Sequence, residues 1–256
     1  MGVDRPRLLR TEAIVIKRVD FGEADKILTL YTPYMGKLRA VAKGVRRPTS
    51  KLGGHVELLT HSQMLLARGR NLDIVTQSET RHSFIDLRGD LQRTGYACYV
   101  AELLDRLTAD QVENQPVFAL LLETLQRLDD GRGPEMAVHL FEIQLLGYLG
   151  YRPQLHRCVQ CDAALGPTAN FFSAVAGGAL CYDCGRAQPT ARALTVNGFK
   201  VLRLLQASDY GTASRLRIDA PLQRELEGIL RSQVNYILEG ELKSVAVLRS
   251  LSVNGQ

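Results

Sequence analysis

The sequence predicts a multidomain α+β protein in which an N-terminal β-barrel precedes an all-α helical domain with an inserted four-cysteine element. Three observations support this fold class: strand-like segments up to residue 79, helical periodicity after residue 80, and four cysteines in two close pairs. We place the barrel domain at 1–80 and the helical domain at 81–256, and we expect the four-cysteine element at 151–190 to interrupt the latter.

Five segments of the first domain have the composition of strands. They are rich in aliphatic and β-branched residues, and turns of about 3–11 residues separate them. Such a series predicts a small closed or half-closed β-barrel, and the alternative is a five-stranded meander packed on the helices. The predicted strands are 13–19, 26–32, 37–43, 55–68 and 71–79.

The helical domain shows apolar residues at helical spacing together with start signals. Pro116 and Pro134 stand where a first helical turn begins, and Thr195 is suited to be an N-cap. These signals and the apolar stripes predict helices at 89–107, 117–128, 135–150, 195–208 and 222–238.

The strongest chemical signal is the cysteine spacing. Cys158-x2-Cys161 and Cys181-x2-Cys184 are separated by nineteen residues. Two such pairs can supply four thiolates to one tetrahedral ion, so we predict one structural Zn²⁺ per chain, held by these four residues. A redox dithiol, disulfides and an iron–sulfur cluster are the alternatives.

Charge is distributed unevenly along the chain. The formal net charge is +5 and the isoelectric point is about 9.0. Residues 1–80 hold fourteen Lys/Arg against eight Asp/Glu, so their net charge is +6 and that of the remainder is −1. A basic excess confined to one domain favours a polyanionic partner such as nucleic acid.

The basic excess is densest in KLRAVAKGVRRPTSKLGG, residues 37–54, which contains no acidic residue. As a strand, KLRAVAK would place its three cations on one side and three apolar residues on the other. We therefore predict a backbone-binding surface, which Arg68 and Arg70 could extend, and the alternative is a solvated loop. The predicted cations of this basic segment are Lys37, Arg39, Lys43, Arg46, Arg47 and Lys51.

Aromatic residues that could stack on bases are few in the first domain. The candidates are Phe21, Tyr31 and Tyr34, and each could equally pack in the barrel. Contacts to the nucleic-acid backbone should therefore dominate over stacking and give low sequence specificity.

The sequence lacks the common catalytic and nucleotide-binding motifs. The patterns GxxxxGK[ST], GxSxG and HExxH do not occur, so we predict no catalytic residue, no enzyme activity and no nucleotide site. The chain also lacks an apolar run of ~18–20 residues and a secretory signal, and we expect a cytoplasmic protein.

Two long stretches resemble a known family. AIVIKRVDFGEADKILTLYTPYMGKLRAVAKGVRRPTS (13–50) resembles the N-terminal signature of the bacterial RecO family of recombination mediators. The run FEIQLLGYLGYRPQLHRCVQC (141–161) resembles the helix that leads to that family's first cysteine pair. The similarity extends over essentially the whole chain.

The resemblance implies a DNA repair function in the RecFOR pathway. It implies an N-terminal OB-fold that binds single- and double-stranded DNA, annealing of complementary strands without ATP, and loading of recombinase onto DNA coated by single-strand-binding protein. Implied partners are RecR, possibly RecF, and single-strand-binding protein, at the nucleoid in the cytoplasm. An RNA-binding or protein-scaffolding zinc protein is the alternative.

The family's functional positions transfer to residues already selected above. The basic segment Lys37 to Lys51 falls on the family's DNA-binding segment, and the four cysteines fall on its zinc ligands. Some family members lack the cysteines, which implies that zinc supports folding more than activity.

Overall fold

The computed structural model describes residues 7 to 254 of the chain, with side chains as far as Leu251. Its elements form two compact units. The first runs to Gly131 and includes the segment from Ser244 onward, and the second is Arg132–Lys243. The end of the first unit does not coincide with the predicted boundary at residue 80. The domain boundaries given above stay a prediction.

Five strands of the first unit close into a barrel, as the sequence predicts. Their order is β1-β2-β3-β5-β4, and all pairs are antiparallel except β3 with β5. This is the arrangement of an OB-like barrel and not of an open meander. The strands are β1 (Leu8–Phe21), β2 (Asp25–Thr32), β3 (Gly36–Ala42), β4 (His61–Ala67) and β5 (Asp73–His82).

The length of β1 allows the barrel to close. Its first half pairs with β4 and its second half with β2. The pairing register with β2 shifts between Val15 and Lys17, which leaves Ile16 as an extra residue. Such a bulge bends a strand, and here it lets one strand serve two neighbours.

Alternating aliphatic side chains fill the barrel. Leu28 and Leu30 of β2, Ala40 of β3, and Met64 and Leu66 of β4 are almost fully buried. Each of these strands therefore has an inner apolar side and an outer side, as its period of two requires.

One predicted strand is partly wrong. The segment 55–68 was expected to be continuous, but a 3-10 turn occupies Gly53–Val56 and β4 begins only at His61. Leu59, between them, has φ +66° and interrupts an extended path. The side chain of Leu59 is buried, so its hydrophobic character reflects packing in the core and does not indicate a strand.

Helices complete the first unit. The predicted helix 89–107 is divided at Asp90, whose carboxylate accepts from the backbone N–H of Gln92 and Arg93 and caps the second part. Sequence periodicity missed the short α1 and the last helix. The four helices are α1 (Ile85–Gly89), α2 (Leu91–Leu107), α3 (Gln115–Asp130) and α9 (Lys243–Asn254).

The connection between α2 and α3 lies against the start of β3. The backbone N–H of Gln111 donates to the Lys37 carbonyl at 2.7 Å. Gly36 has φ +56°, and a Cβ at this position would lie 1.9 Å from the Val112 carbonyl oxygen. A glycine is required here because both the backbone conformation and the close approach exclude a side chain.

Lys37 attaches α2 to the barrel. Although it lies on the outer side of β3, it is only 8% exposed. Its Nζ donates to the Asp105 carbonyl at 2.6 Å and lies 3.3 Å from Asp105 Oδ1 and 3.5 Å from Asp110 Oδ1. Asp105 belongs to the last turn of α2, where carbonyls lack helical partners and the helix dipole is negative. The ammonium group therefore caps this helix.

The second unit is helical around α4, α6 and α8, which pack against one another. Phe141 of α4 and Phe199 of α6 are fully buried, as are Leu226 and Ile229 of α8. The helices are α4 (Pro134–Tyr148), α5 (Tyr182–Arg186), α6 (Val196–Ala207), α7 (Tyr210–Ala213) and α8 (Ala220–Leu238).

The segment between α4 and α6, which contains the two cysteine pairs, also forms a small sheet. Its strand order is β7-β6-β8, and it was not predicted. The strands are only three or four residues long, too short for a recognisable alternation. They are β6 (Asn170–Ser173), β7 (Gly178–Leu180) and β8 (Arg192–Leu194).

We predict that Gly36→Ala destabilises the protein far more than Gly22→Ala. Both glycines have nearly the same positive φ, but nothing lies within 4 Å of a Cβ at Gly22. Gly22→Ala should cost about 1–2 kcal/mol of backbone strain. Gly36→Ala should cost a further ~1–3 kcal/mol because of the overlap with Val112. Urea unfolding followed by circular dichroism measures the free energy of unfolding of both variants. An equal loss in the two variants would contradict the close approach of Gly36 to Val112.

We predict that Lys37→Met destabilises the first unit, whereas Lys43→Met does not. The first change leaves the Asp105 carbonyl without its buried donor and the Asp105 carboxylate with only the exposed Lys17, at about 1–3 kcal/mol. Lys43 is exposed, and its replacement should stay within about 0.5 kcal/mol. Urea unfolding midpoints test this, and equal midpoints for the two variants would show that Lys37 does not cap α2.

Candidate nucleic-acid interface and metal centre

The predicted alternation of β3 is confirmed. Leu38, Ala40 and Ala42 are buried in the barrel core, whereas Arg39 and Lys43 are exposed. The two sides differ because successive side chains of a strand point in opposite directions. The outer side therefore carries the cations, as expected from the sequence.

Two aspartates of the α2–α3 region cover part of that outer side. Asp105 contacts Lys37 as described and also lies 3.0 Å from Lys17 Nζ on β1. Asp110 lies 3.7 Å from the guanidinium of Arg39. Lys37 is thus buried beneath carboxylates, and Arg39 is exposed but paired. The sequence offered no sign of this, because the aspartates lie about seventy residues away in the chain.

The cations after β3 lie on a loop that is fixed to the β1–β2 turn. The Gly44 N–H donates to Asp25 Oδ1 at 2.7 Å, and the Arg46 N–H donates to the Ala24 carbonyl at 2.9 Å. Val45 between them is buried in the barrel core. These contacts determine the path of the loop and place its charges beside the hairpin.

Four cations on this part of the chain are exposed. Arg46 lies 3.6 Å from Asp20 on β1 and is therefore partly neutralised. The other three form no ion pair with any residue between positions 7 and 251. We call these three the cationic cluster: Lys43, Arg47 and Lys51.

Asp20 is the carboxylate that pairs with Arg46 of this loop. A hydrogen bond from Lys26, at 2.9 Å, together with the charges of Arg46 and Arg18, lowers its pKa below the ordinary value. It stays ionised at neutral pH and attracts Arg46.

Of the three candidate aromatics, two are exposed. Tyr31 is 1% exposed, and its burial raises the pKa of the phenol to about 12, so it is a core residue. Phe21 is 51% exposed and pairs with Asp25 across the β1–β2 turn, and the Asp25 carboxylate accepts from Gly44 of the loop that carries the cationic cluster. Tyr34 is also exposed, in the turn between β2 and β3.

Arg68 and Arg70 are exposed between β4 and β5. The Arg68 N–H donates to the Arg7 carbonyl at 2.9 Å. β5 pairs with β3 from Asp73 opposite Ala40, so this connection reaches the β3 side of the barrel. The prediction that both arginines extend the basic surface stays a prediction.

The four cysteines come together in the second unit. Their sulfur atoms all lie within 4.8 Å of one another, and Cys161 Sγ is 3.8 Å from Cys181 Sγ. Four thiolates at ~2.3 Å around one tetrahedral ion are ~3.8 Å apart, so the residues fit a metal ion of this kind. His156 is exposed and does not belong to the cluster.

Backbone N–H groups stabilise the thiolate of one cysteine of the cluster, Cys158. Burial alone would raise the pKa of the Cys158 thiol. Hydrogen bonds from the backbone N–H groups of Cys181, Cys161 and Gln160 outweigh that effect and lower its pKa to about 6. Hydrogen bonds to Cys181 and Cys161 raise the pKa of Cys184 to about 12. Binding of a metal cation would displace the protons of thiols that still carry them.

Arg203 of α6 holds the cysteine-bearing segment, a function that sequence reasoning missed. Its guanidinium donates to the carbonyls of Leu155 at 2.9 Å and Leu165 at 3.0 Å, on either side of the first cysteine pair. It also lies 4.1 Å over the Phe199 ring. The donors of this arginine therefore serve the fold.

No helix among residues 7–254 is long and apolar enough to cross a membrane.

Comparison with known proteins identifies the family. Residues 7–84 match the family model described as Recombination protein O N terminal, and residues 88–246 match Recombination protein O C terminal. A protein of Roseiflexus sp. named DNA repair protein RecO is 46% identical over 244 residues, covering 95% of this chain and 86% of the relative. Proteins with the same name from Dehalococcoides mccartyi and Halalkalibacterium halodurans are 40% and 32% identical, each over 96% of this chain and at least 96% of the relative. The chain therefore belongs to the RecO family, which gives it a role in DNA repair and recombination.

Proposed function

We propose that this chain is a DNA-binding recombination mediator. It binds single- and double-stranded DNA, anneals complementary strands without ATP, and helps to load recombinase onto DNA coated by single-strand-binding protein. The observation that carries the proposal is the cationic cluster of Lys43, Arg47 and Lys51, exposed and without carboxylate partners among residues 7–251, beside the β1–β2 hairpin.

Unpaired like charges on one loop repel one another, and an anionic strand relieves that repulsion. Binding to phosphates also releases counterions from DNA, which supplies most of the affinity of sequence-independent binding. Arg46 is partly occupied by Asp20, and Arg39 by Asp110, so each contributes less unless DNA displaces the carboxylate. Lys37 is a helix cap, and we expect little direct contribution from it.

Phe21 provides a second kind of contact next to the cluster. An exposed aromatic ring beside phosphate-binding cations can stack on an unpaired base whatever its identity. Contacts of both kinds are independent of sequence, which suits a protein that must act wherever DNA is damaged.

Annealing requires two strands whose charges are neutralised and whose bases remain accessible. The cationic cluster suits the backbone of one strand. Arg68 and Arg70 suit the second strand or the continuation of the first, since their connection reaches the β3 side of the barrel. Charge neutralisation needs no chemical energy source, in agreement with the missing nucleotide motif, and we propose no catalytic residue.

The proposed partners follow from the family. They are RecR, possibly RecF, and single-strand-binding protein, and the proposed location is the cytoplasm at the nucleoid.

We predict that the triple change Lys43→Gln, Arg47→Gln and Lys51→Gln weakens binding to single strands and flattens its dependence on salt. Each lost phosphate contact should reduce the slope of log K against log salt by roughly 0.7. Fluorescence anisotropy with a labelled oligonucleotide measures the slope. Pairing of two complementary oligonucleotides without ATP should slow in parallel.

A matched control removes the same charge elsewhere, through Arg106→Gln, Lys200→Gln and Arg224→Gln, three exposed residues outside the barrel. The control should keep the slope of the unmodified protein. An equal loss in both variants would indicate a general charge effect and refute the assigned surface. Failure of the unmodified protein to accelerate pairing, or a strong preference for RNA, would refute the proposed function.

For the four cysteines we propose one structural Zn²⁺ ion. All four tetrahedral positions would be taken by Cys158, Cys161, Cys181 and Cys184, leaving none for a reacting water molecule. The bound ion would cross-link the two cysteine pairs and stabilise the second unit.

We predict one zinc per chain and its loss in Cys161→Ser. Because structural metal binding is coupled to folding, the variant should unfold at a lower temperature. Cys98→Ser, outside the cluster, should retain zinc and serves as the control. Elemental analysis and thermal unfolding test this, and iron with a visible absorption band would contradict zinc.

A further inference from the structure

A cavity of about 700 Å³ lies within the Arg132–Lys243 unit. Three parts of the chain form it: the residues after α4, the turn between β6 and β7, and the C-terminal end of α8. Neither the proposed zinc ligands nor the predicted DNA contacts line it. Its walls combine a buried acceptor, a carboxylate and two aromatic rings.

The acceptor is the amide oxygen of Gln233. The residue is 4% exposed and lines the cavity, and Oε1 has no hydrogen-bond donor in the part of the chain that the structure describes. A buried oxygen without a donor is costly, and water in the cavity or a ligand N–H group can satisfy it. A hydrogen-bond donor from outside the chain would therefore stabilise Gln233 Oε1.

The electrostatics at the same wall favour a cation. α8 ends at Leu238, and the C-terminal end of a helix carries partial negative charge. Glu239, the next residue, lines the cavity and has no ion-pair partner among residues 7–251. Arg152 also lines the cavity and opposes a cation, but it is exposed, so water and salt screen the repulsion.

Two tyrosines complete the site. Tyr151 and Tyr236 line the cavity, and about half of each side chain is exposed. The faces of aromatic rings attract cations, above all planar guanidinium groups that can stack on them. Guanidinium also presents five N–H donors, enough for an amide oxygen and a carboxylate together.

We propose that this cavity binds an arginine side chain of a partner protein. Gln233 Oε1 and the Glu239 carboxylate accept its N–H groups, and the tyrosine rings cover its face. A lysine ammonium fits less well, because it lacks the planar shape. The site is independent of the proposed DNA contacts, so either proposal can fail without the other.

The test uses the full chain and a short probe, acetyl-Gly-Arg-Gly-amide. A matched peptide with citrulline keeps the shape but removes the charge. The protein has nine tyrosines, and NMR spectra of their ring groups, assigned with Tyr151→Phe and Tyr236→Phe, report the site directly. The arginine peptide should shift the Tyr151 and Tyr236 signals, and the citrulline peptide should not.

Three variants refine the test. Glu239→Gln should weaken peptide binding about twofold to fivefold, as expected for an exposed charge pair. Arg152→Gln should strengthen it, and Gln233→Met should weaken it while leaving the unfolding midpoint unchanged or raised. Glu227→Gln, three turns earlier on α8, is the control and should not change binding.

Equal shifts with both peptides, or no shift with either, would overturn the proposal. So would a thymidine oligonucleotide that shifts the two tyrosine signals at lower concentration than the arginine peptide, since the cavity would then be a base-binding site. The charge variants of the barrel should leave peptide binding unchanged, which separates this result from the test of DNA binding.

Discussion

The contact of Asp105 and Asp110 with the outer side of β3 determines which cations of the barrel remain available to a partner. These carboxylates engage Lys17, Lys37 and Arg39, so the strand presents less charge than its sequence contains. The same contact caps α2 and positions the connection to α3. The position of α2 and the number of unpaired cations on β3 thus depend on one interaction. The cations of residues 37–51 without a carboxylate partner among the described residues lie on the loop that follows the strand.

Local patterns were sufficient to predict much of the fold. The alternation of KLRAVAK located the inner and outer sides of β3, and Thr195 is indeed the N-cap of α6. Prediction failed where distant residues decide the outcome. Lys37 looks like any exposed strand lysine until residues 105–112 are placed over it, and Tyr31 could be assigned to the core only once the barrel had closed.

In the cysteine cluster, too, local features could be predicted and long-range contacts could not. Spacing alone predicted that two CxxC pairs would converge, because each pair has a fixed local geometry and the intervening segment is long enough to return. The small sheet and Arg203 carry no such signature. Arg203 looks like a solvated helix residue in the sequence, yet it donates to two carbonyls that border the first pair. A hydrogen bond from a side chain to the backbone carbonyl of a distant residue cannot be predicted from the sequence, because every residue has such a carbonyl.

The pairing of β3 with β5 has a further consequence for the barrel. Only Ala40 with Asp73 and Val41 with Ile74 are in register there, whereas every other seam extends over seven or more residue pairs. Few hydrogen bonds hold this seam, so local opening should begin at it and amide hydrogens should exchange fastest along it. The seam adjoins the strand that leads into the cationic cluster. The proposed DNA-binding surface would then adjoin the seam of the barrel that opens most readily, which would let the surface adjust to a flexible polymer while the core stays closed.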